Sequence, residues 1–344
     1  NLTGNKMGKK IIGIVLGIGA VVAIGLGVAI SFKSKEIKDR MTQTLNQSFE
    51  HFANQTDIIE SWESFVCSGF ISIGCYSKHI ALSSREANLH LYDIGIDVHS
   101  ADDNSLKATF NIKNMKMEVN DLPLTTAQTE EEALIQQKSI KLFTSFVPNK
   151  MQCDIALNQN DITLNEKLQC DIKASNATYA IQTEGVYQHE NFARQNIAQI
   201  LQDFYLDMMF NENALSPYQN YQYALRTFSI NTKDKGFSKD MYRFYEIQSP
   251  LLGISANMDN FASYVNNINV LFVLAANLTL GNIYPDEISQ LGKGIESYIL
   301  GNTHELGFNL SRKNKTEDIF ISLENPEQIF PYFFDNYQLE VISR

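Results

Sequence analysis

Four cysteines are the residues of this 344-residue chain whose spacing most clearly indicates chemistry. Cys67 and Cys75 bracket the short segment SGFISIG, and Cys153 and Cys170 lie in two near-identical hexapeptides, MQCDIA and LQCDIK. If these hexapeptides are strands of one hairpin centred near Asp161, the second pair faces across the hairpin at a distance that a disulfide spans. The spacing therefore predicts two disulfides, one within each pair.

Other cysteine chemistries lack their partner motifs. A zinc site needs CxxC-like knuckles or interleaved histidines, and a redox cysteine needs a CxxC; the sequence contains neither. Four unrelated buried thiols are the alternative to two disulfides. Because disulfides persist in oxidising compartments, the predicted pairs favour a body outside the cytoplasm, which in a Gram-negative cell means the periplasm.

Acid–base or metal chemistry has one further candidate group. Asp93, Asp97 and His99 alternate onto one face of a predicted strand, although the solvated face of a half-buried strand gives the same pattern. The pairs His189-Glu190 and His304-Glu305 have no second histidine at helical spacing and are expected to lie on the surface. The chain contains no GxSxG, HExxH, P-loop or EF-hand motif. We therefore predict no catalytic residue, no cofactor and no metal ligand.

Aromatic residues are concentrated in one segment, with eleven Phe or Tyr side chains between residues 204 and 245. Such residues bury a large area. Tyrosine is favoured where its ring is buried and its hydroxyl stays in contact with water, as in interfaces and apolar pockets. The segment is therefore either a plain aromatic core or a ligand groove or partner surface. The side chains of the predicted surface are Phe204, Tyr205, Tyr218, Tyr221, Tyr223, Phe228, Tyr242, Phe244 and Tyr245.

The charge is divided unevenly along the chain. Of 28 basic and 39 acidic residues, the first 40 positions hold seven basic and two acidic ones, so residues 41–344 carry a formal charge of −16. A body this acidic repels phosphate backbones, which excludes nucleic acid as an expected partner.

Residues 11–32 form an uncharged and mostly apolar run of 22 positions, flanked by lysines on both sides. As a helix the run would reach roughly 33 Å, enough to cross a bilayer. We predict an uncleaved anchor with residues 1–10 in the cytoplasm; a cleaved signal peptide is the alternative. Small residues at spacings of four would let this helix pack closely on another, including that of a second copy. They are Gly13, Gly17, Gly19, Ala23 and Gly27.

The remaining pattern predicts the elements of the body. An amphipathic helix over 33–63 follows the anchor, and alternating strands begin near Lys78, with a bulge at Tyr92-Asp93. Thr129 and Glu132 form a capping box for a helix, and further strands and helices follow. Residues 270–280 are too short to span a bilayer, and Asn277 interrupts them, so a core helix is expected there.

At the end of the chain, alternation over 306–310 and 319–323 predicts a hairpin, and 337–342 an edge strand. Paired cysteines and hairpins favour antiparallel sheets, so we predict an α+β body over 64–344 with helices packed on one face. A sub-boundary near residue 148 would divide it.

The layout resembles the YdgA-like family of uncharacterised bacterial inner-membrane-anchored proteins. The resemblance depends on Gly8-Lys9-Lys10 before the anchor, the charged helix after it, and the SGFIS segment ahead of alternating strands over 80–98. It implies a periplasmic body and supplies no catalytic residues to carry over, and the cysteine pattern is an addition to it.

Together these features predict a single-pass inner-membrane protein that presents a non-enzymatic body for protein–protein contact or envelope assembly. The alternative is binding or transport of a lipid or other apolar ligand through a groove lined by the aromatic residues.

Overall fold

The computed structural model describes residues 37–55, 58–69, 72–83, 87–119, 129–201, 203, 221–322 and 334–344. The predicted anchor at 11–32 lies outside these residues, with Gly13, Gly17, Gly19, Ala23 and Gly27. Phe204, Tyr205 and Tyr218 of the aromatic segment also lie outside them.

The described residues form an α+β structure around one antiparallel sheet, as the sequence predicts. The strands are β1 (Ile59–Trp62), β2 (Val66–Ser68), β3 (Ile73–Ser83), β4 (Ala87–Ala101), β5 (Ser105–Val119), β6 (Pro148–Asn160), β7 (Thr163–Ala174), β8 (Ala177–Gln188), β9 (Gln222–Asp234), β10 (Glu305–Arg312), β11 (Ile321–Ser322) and β12 (Tyr337–Ser343). They pair in the order β1-β3-β4-β5-β6-β7-β8-β9-β10-β12, with β2 on β3 and β11 on β9. The sheet continues across residue 148, because β5 pairs with β6.

The helices are α1 (Ile37–Gln55), α2 (Glu130–Phe143), α3 (Phe237–Gln248), α4 (Met258–Leu280) and α5 (Pro285–Ile299). The Thr129 hydroxyl accepts a hydrogen bond from the Glu132 backbone N–H at 3.2 Å, which confirms the predicted cap of α2. Gly301 follows α5 with a φ of 76°, a conformation that favours glycine at the end of a helix.

The helices cover one face of the sheet. Met41, Leu45 and Phe49 of α1 are buried in a cluster with inward side chains of β3 to β7. At the other end of the same face, the Tyr298 hydroxyl of α5 lies 3.0 Å from the Thr232 hydroxyl of β9. The strand register places Thr232 in one row with core residues of β5, β6 and β7. The helices α1 and α5 therefore pack on the same face of the sheet, which we call the covered face.

Both predicted disulfides are present. Cys67 pairs with Cys75 across β2 and β3, and Cys153 with Cys170 across β6 and β7, and each pair lies directly opposite in register. All four sulfurs belong to the core under α1. The turn between β6 and β7 contains Asp161 with a φ of 51°, the position where the sequence places the centre of the hairpin.

The bulge predicted at Tyr92-Asp93 is corrected to a bend without a register shift, and the register of β4 with β5 shifts instead between Val98 and Ser100. Asp93 has a φ of 49°, and the buried positions change parity from Leu91 to Ile94. The register of β4 with β3 and β5 does not shift at Asp93. This exposed residue stands opposite one exposed residue of each neighbour, Lys78 of β3 and Lys113 of β5. Each strand therefore changes parity at the same level, and the same face stays buried on both sides of the bend.

The predicted terminal hairpin is wrong. Instead of pairing with 306–310, the strand around Ile321 pairs with the beginning of β9, where Ile321 faces Tyr223. Both edges of β10 are already occupied, one by residues 227–233 of β9 and the other by β12. Since β9 begins five residues before that pairing, its first residues offer β11 a free edge. The predicted edge strand at 337–342 is present as β12.

The predicted core helix at 270–280 is also corrected. It is the second half of the 23-residue α4, and only 17% of the helix's most apolar window is buried. One stripe, with Phe261, Val265 and Val273, packs on the body. Because α4 is apolar on several sides, the sequence pattern does not reveal that the opposite side faces outward.

Candidate functional site

The candidate acid–base or metal residues Asp93, Asp97 and His99 have separate partners in the structure and do not converge on one point. Asp97 accepts hydrogen bonds from the Tyr76 hydroxyl and, at 3.3 Å, from the Asn111 amide. His99 lies 2.8 Å from the Thr109 hydroxyl, and Asp93 is exposed at the bend. Within the described ranges, no three His, Cys, Asp or Glu residues could hold a metal ion.

His99, Thr109 and Asp154 form a hydrogen-bonded chain across β4, β5 and β6. The Thr109 hydroxyl donates to the Asp154 carboxylate at 2.6 Å, and the His99 ring nitrogen lies against the same hydroxyl. A nucleophilic hydroxyl would donate its proton to the imidazole, which would act as the base. Here the carboxylate receives that proton, so the chain is a cross-strand network and not a nucleophile–base pair.

Tyr76 lies flat over two glycines. A Cβ atom on Gly95 would come within 2.4 Å of the Tyr76 ring, and one on Gly74 within 2.7 Å, so the ring occupies the space of two side chains. Burial raises the pKa of Tyr76 to about 12, and the hydrogen bond and negative charge of Asp97 act in the same direction. The phenol is therefore a neutral donor at physiological pH.

These residues belong to a larger surface opposite the covered face, which we call the polar face. Its central row crosses eight strands, and none of the eight side chains is buried or apolar. The row consists of Asp97, Thr109, Asp154, Gln169, Gln182, Ser229, Asn309 and Glu340. The rows on either side contain Asn111, Gln152, Asp171, Ala180 and Asn231, and Lys107, Ala156, Lys167, Glu184 and Thr227.

The polar face has the dimensions of a protein interface. Eight strands about 4.8 Å apart span roughly 34 Å, and three rows cover about 20 Å along the strands, or roughly 700 Å². A standard interface buries about 800 Å² on each partner. Five carboxylates stand against two lysines in these rows, and Lys167 is itself paired with Glu184 at 2.6 Å. The surface is therefore acidic and rich in hydrogen-bonding groups.

The polar face as a unit does not follow from the sequence patterns alone. In MQCDIA and LQCDIK the residues on either side of each cysteine are polar, which is the signal that the face opposite the disulfide is solvated. The alignment of eight such positions into one row depends on the register of seven strand pairs, which cannot be read from one segment.

The described residues of the predicted aromatic surface divide among three places. Tyr221 stacks on His189 at 4.2 Å and Tyr223 packs on Tyr187 at 4.7 Å, while Phe228 packs on Phe308 between β9 and β10. Tyr242 and Tyr245 pack on Phe261 of α4, at 5.3 and 5.2 Å, and Phe244 is half-buried in α3.

Glu166 of β7 is a carboxylate on the covered face that the sequence analysis did not single out. Burial raises its pKa, although the hydroxyls of Tyr223 and Tyr187 donate to it and oppose that shift. Tyr223 also covers Gly185, where a Cβ atom would lie 2.3 Å from the tyrosine oxygen. The group fills the sheet surface between β7 and β9.

The outward side of α4 is a second surface, which we call the apolar surface. Leu278 is 83% exposed and Leu271 66% exposed, with Val270, Leu274, Ile268 and Phe272 beside them. Leu251, Leu252 and Ile254 in the segment before α4 are exposed as well. Single exposed apolar residues are ordinary, but a contiguous group of this kind marks a site of contact. Among the described helices, α4 alone is long and apolar enough to cross a membrane.

The signal that could have identified the apolar surface is an absence of charge. No Asp, Glu, Lys or Arg occurs from Asn260 to Pro285, whereas a water-facing helix normally carries charges on its outer side. The geometry thus leaves an acidic polar face on one side of the sheet and, on the other, an apolar helix that carries no charge after Asp259. Comparisons with protein-family models and with curated proteins found no match to this chain.

Proposed function

We propose that this protein is a non-enzymatic, inner-membrane-anchored protein of the bacterial periplasm that docks a protein partner on its polar face. The observation that carries the proposal is the central row of eight polar side chains, which crosses the sheet where none of the described helices packs. A polar surface of that size, which the described helices leave uncovered, fits recognition better than chemistry.

Two further features support the location. The uncharged run at 11–32 is long enough for a membrane anchor. The two disulfides fit an oxidising compartment, and the resemblance to the YdgA-like family points to the same place.

The charge of the polar face favours a basic partner. Asp97, Asp154, Asp171, Glu184 and Glu340 outnumber the lysines, so a partner surface rich in Lys and Arg would be attracted and oriented. The described residues of the predicted aromatic surface pack in three separate places, and for this reason the proposal is based on the polar face and not on an aromatic groove.

The test is affinity purification of the full chain from its own membrane, followed by identification of the bound proteins. We compare the wild type with a variant that carries Asp154→Lys and Glu340→Lys, two exposed positions of the central row. A control variant carries Glu60→Lys and Glu317→Lys, which change the charge equally outside the three rows. The polar-face variant is expected to lose the partner about tenfold and the control to retain it. A partner that both variants retain would contradict the proposal.

A further inference from the structure

The apolar surface of α4 needs a contact that the described body does not supply. Its outward residues have large aliphatic and aromatic side chains, and Leu278 and Leu271 are the most exposed. The opposite stripe of the same helix is held by the body, where Val273 fits against Gly292 of α5 so closely that a Cβ there would lie 2.4 Å from it. Because the inward side of α4 is held by the body, only its outward side can contact a lipid bilayer or another molecule.

The predicted membrane anchor would hold the apolar surface of α4 close to a lipid bilayer. The predicted anchor ends at Phe32 and α1 begins at Ile37, so the four residues between them reach at most about 14 Å. Both α1 and α4 pack on the covered face, so a bilayer close to the start of α1 lies on the same side of the sheet as α4. Tethering turns a weak surface contact into an intramolecular one with a high effective concentration.

Charge favours lipid over an acidic or basic protein surface as the occupant. The apolar surface contains no charged group to orient a protein partner, and the acidic body opposes attraction to anionic headgroups. What remains is insertion of apolar side chains into the boundary between headgroups and acyl chains, in the manner of an interfacial helix.

We infer that α4 lies in the interface of the bilayer that holds the anchor and inserts its apolar surface into the outer acyl region. The inference rests on the anchoring given under the proposed function. It gives the body two membrane contacts, the anchor and α4, and directs the polar face away from the lipid.

The test uses the full chain reconstituted into neutral phosphatidylcholine vesicles, with and without bromine atoms on the acyl chains. The reporter is Leu278→Trp, and the wild type, which contains only Trp62, gives the background. The matched control is Gln182→Trp, an exposed position in the central row of the polar face. Flotation of the vesicles shows separately whether the chain is bound to them.

Brominated lipid is expected to quench the Leu278→Trp emission about twofold or more and to leave the Gln182→Trp emission at the background level. Adding Leu271→Gln and Leu274→Gln to the reporter chain is expected to reduce that quenching about twofold. Both changed residues are exposed, so the fold is preserved. Flotation without quenching would overturn the inference and leave the anchoring intact, whereas a chain that does not float would overturn both. If the Leu278→Trp emission is no longer quenched by brominated lipid when the protein concentration is raised, a second copy covers the apolar surface. That result would also overturn the inference.

Discussion

Tyr76 occupies the space that side chains at Gly74 and Gly95 would need, and its hydroxyl donates to Asp97. Replacing Gly95 with alanine must displace the ring and break that hydrogen bond. We expect Gly95→Ala to lower the free energy of unfolding by about 1–2 kcal/mol, measured by urea denaturation of the detergent-solubilised chain.

The control for this change is a double-mutant cycle with Tyr76→Ala. Once the ring is removed, a Cβ at position 95 still lies 3.1 Å from the Asn111 side-chain nitrogen, which can shift by a few tenths of an ångström. The alanine should then cost less than about 0.5 kcal/mol. If Gly95→Ala lowers the free energy of unfolding equally in the wild type and in Tyr76→Ala, the Tyr76 ring is not the reason for a glycine at position 95.

Glu305 gives a pH dependence with a definite direction. Hydrogen bonds from Arg344 and Asn231 lower the pKa of its carboxyl from 4.5 to about 2. Because the folded-state pKa is depressed, the stabilisation is present above about pH 4.5 and is lost as the pH falls towards 2. The urea midpoint of the wild type should therefore approach that of Glu305→Gln over this range. A constant difference between the two proteins would contradict the assignment.

At the scale of elements, the disulfide between β6 and β7 closes a longer segment than the one between β2 and β3. The sequence separations are 17 and 8 residues. The chain-entropy estimate is about 3 kcal/mol for the longer loop and about 2.5 kcal/mol for the shorter one. We expect Cys153→Ala with Cys170→Ala to lower the free energy of unfolding by about 3 kcal/mol, and Cys67→Ala with Cys75→Ala by slightly less.

Thermal unfolding of the two double variants, with and without reductant, checks these losses. Reductant should lower the wild-type midpoint and have a smaller effect on each variant, since each retains one disulfide. An unchanged midpoint for the wild type would contradict a stabilising role.

Sequence reasoning predicts the elements better than their partners. The cysteine pairing and the cap at Thr129 depend on residues close in the chain, and these predictions are confirmed. The pairing of β11 with β9 depends on which strand edge is already occupied by β12, which no local pattern contains. Likewise, the stripe of α4 predicts a helix, but which side faces the body is decided by residues such as Gly292, far away in the sequence.

At the scale of the whole molecule, the acidic excess should destabilise the compact state by self-repulsion. At 0.01 M salt the screening length is about 30 Å, comparable to the width of the sheet, and at 0.15 M it is about 8 Å. We therefore expect the thermal midpoint at pH 7 to rise between these two salt concentrations.

The control is the same measurement near pH 5.1, the isoelectric point of the chain. There the net charge is close to zero, so added salt should change the midpoint far less. A similar salt effect at both pH values would show that specific ion binding, and not net charge, is responsible.

The order of the strands in the sheet has a consequence for how the protein is made. From β3 to β10 each strand pairs with the one before it in the chain. A chain that folds from its N-terminus can therefore add one strand at a time, without waiting for a distant segment. Both disulfides close by residue 170, so neither cross-link needs a residue of the segment that contains α4. The apolar α4 therefore joins a sheet whose first half can already be cross-linked.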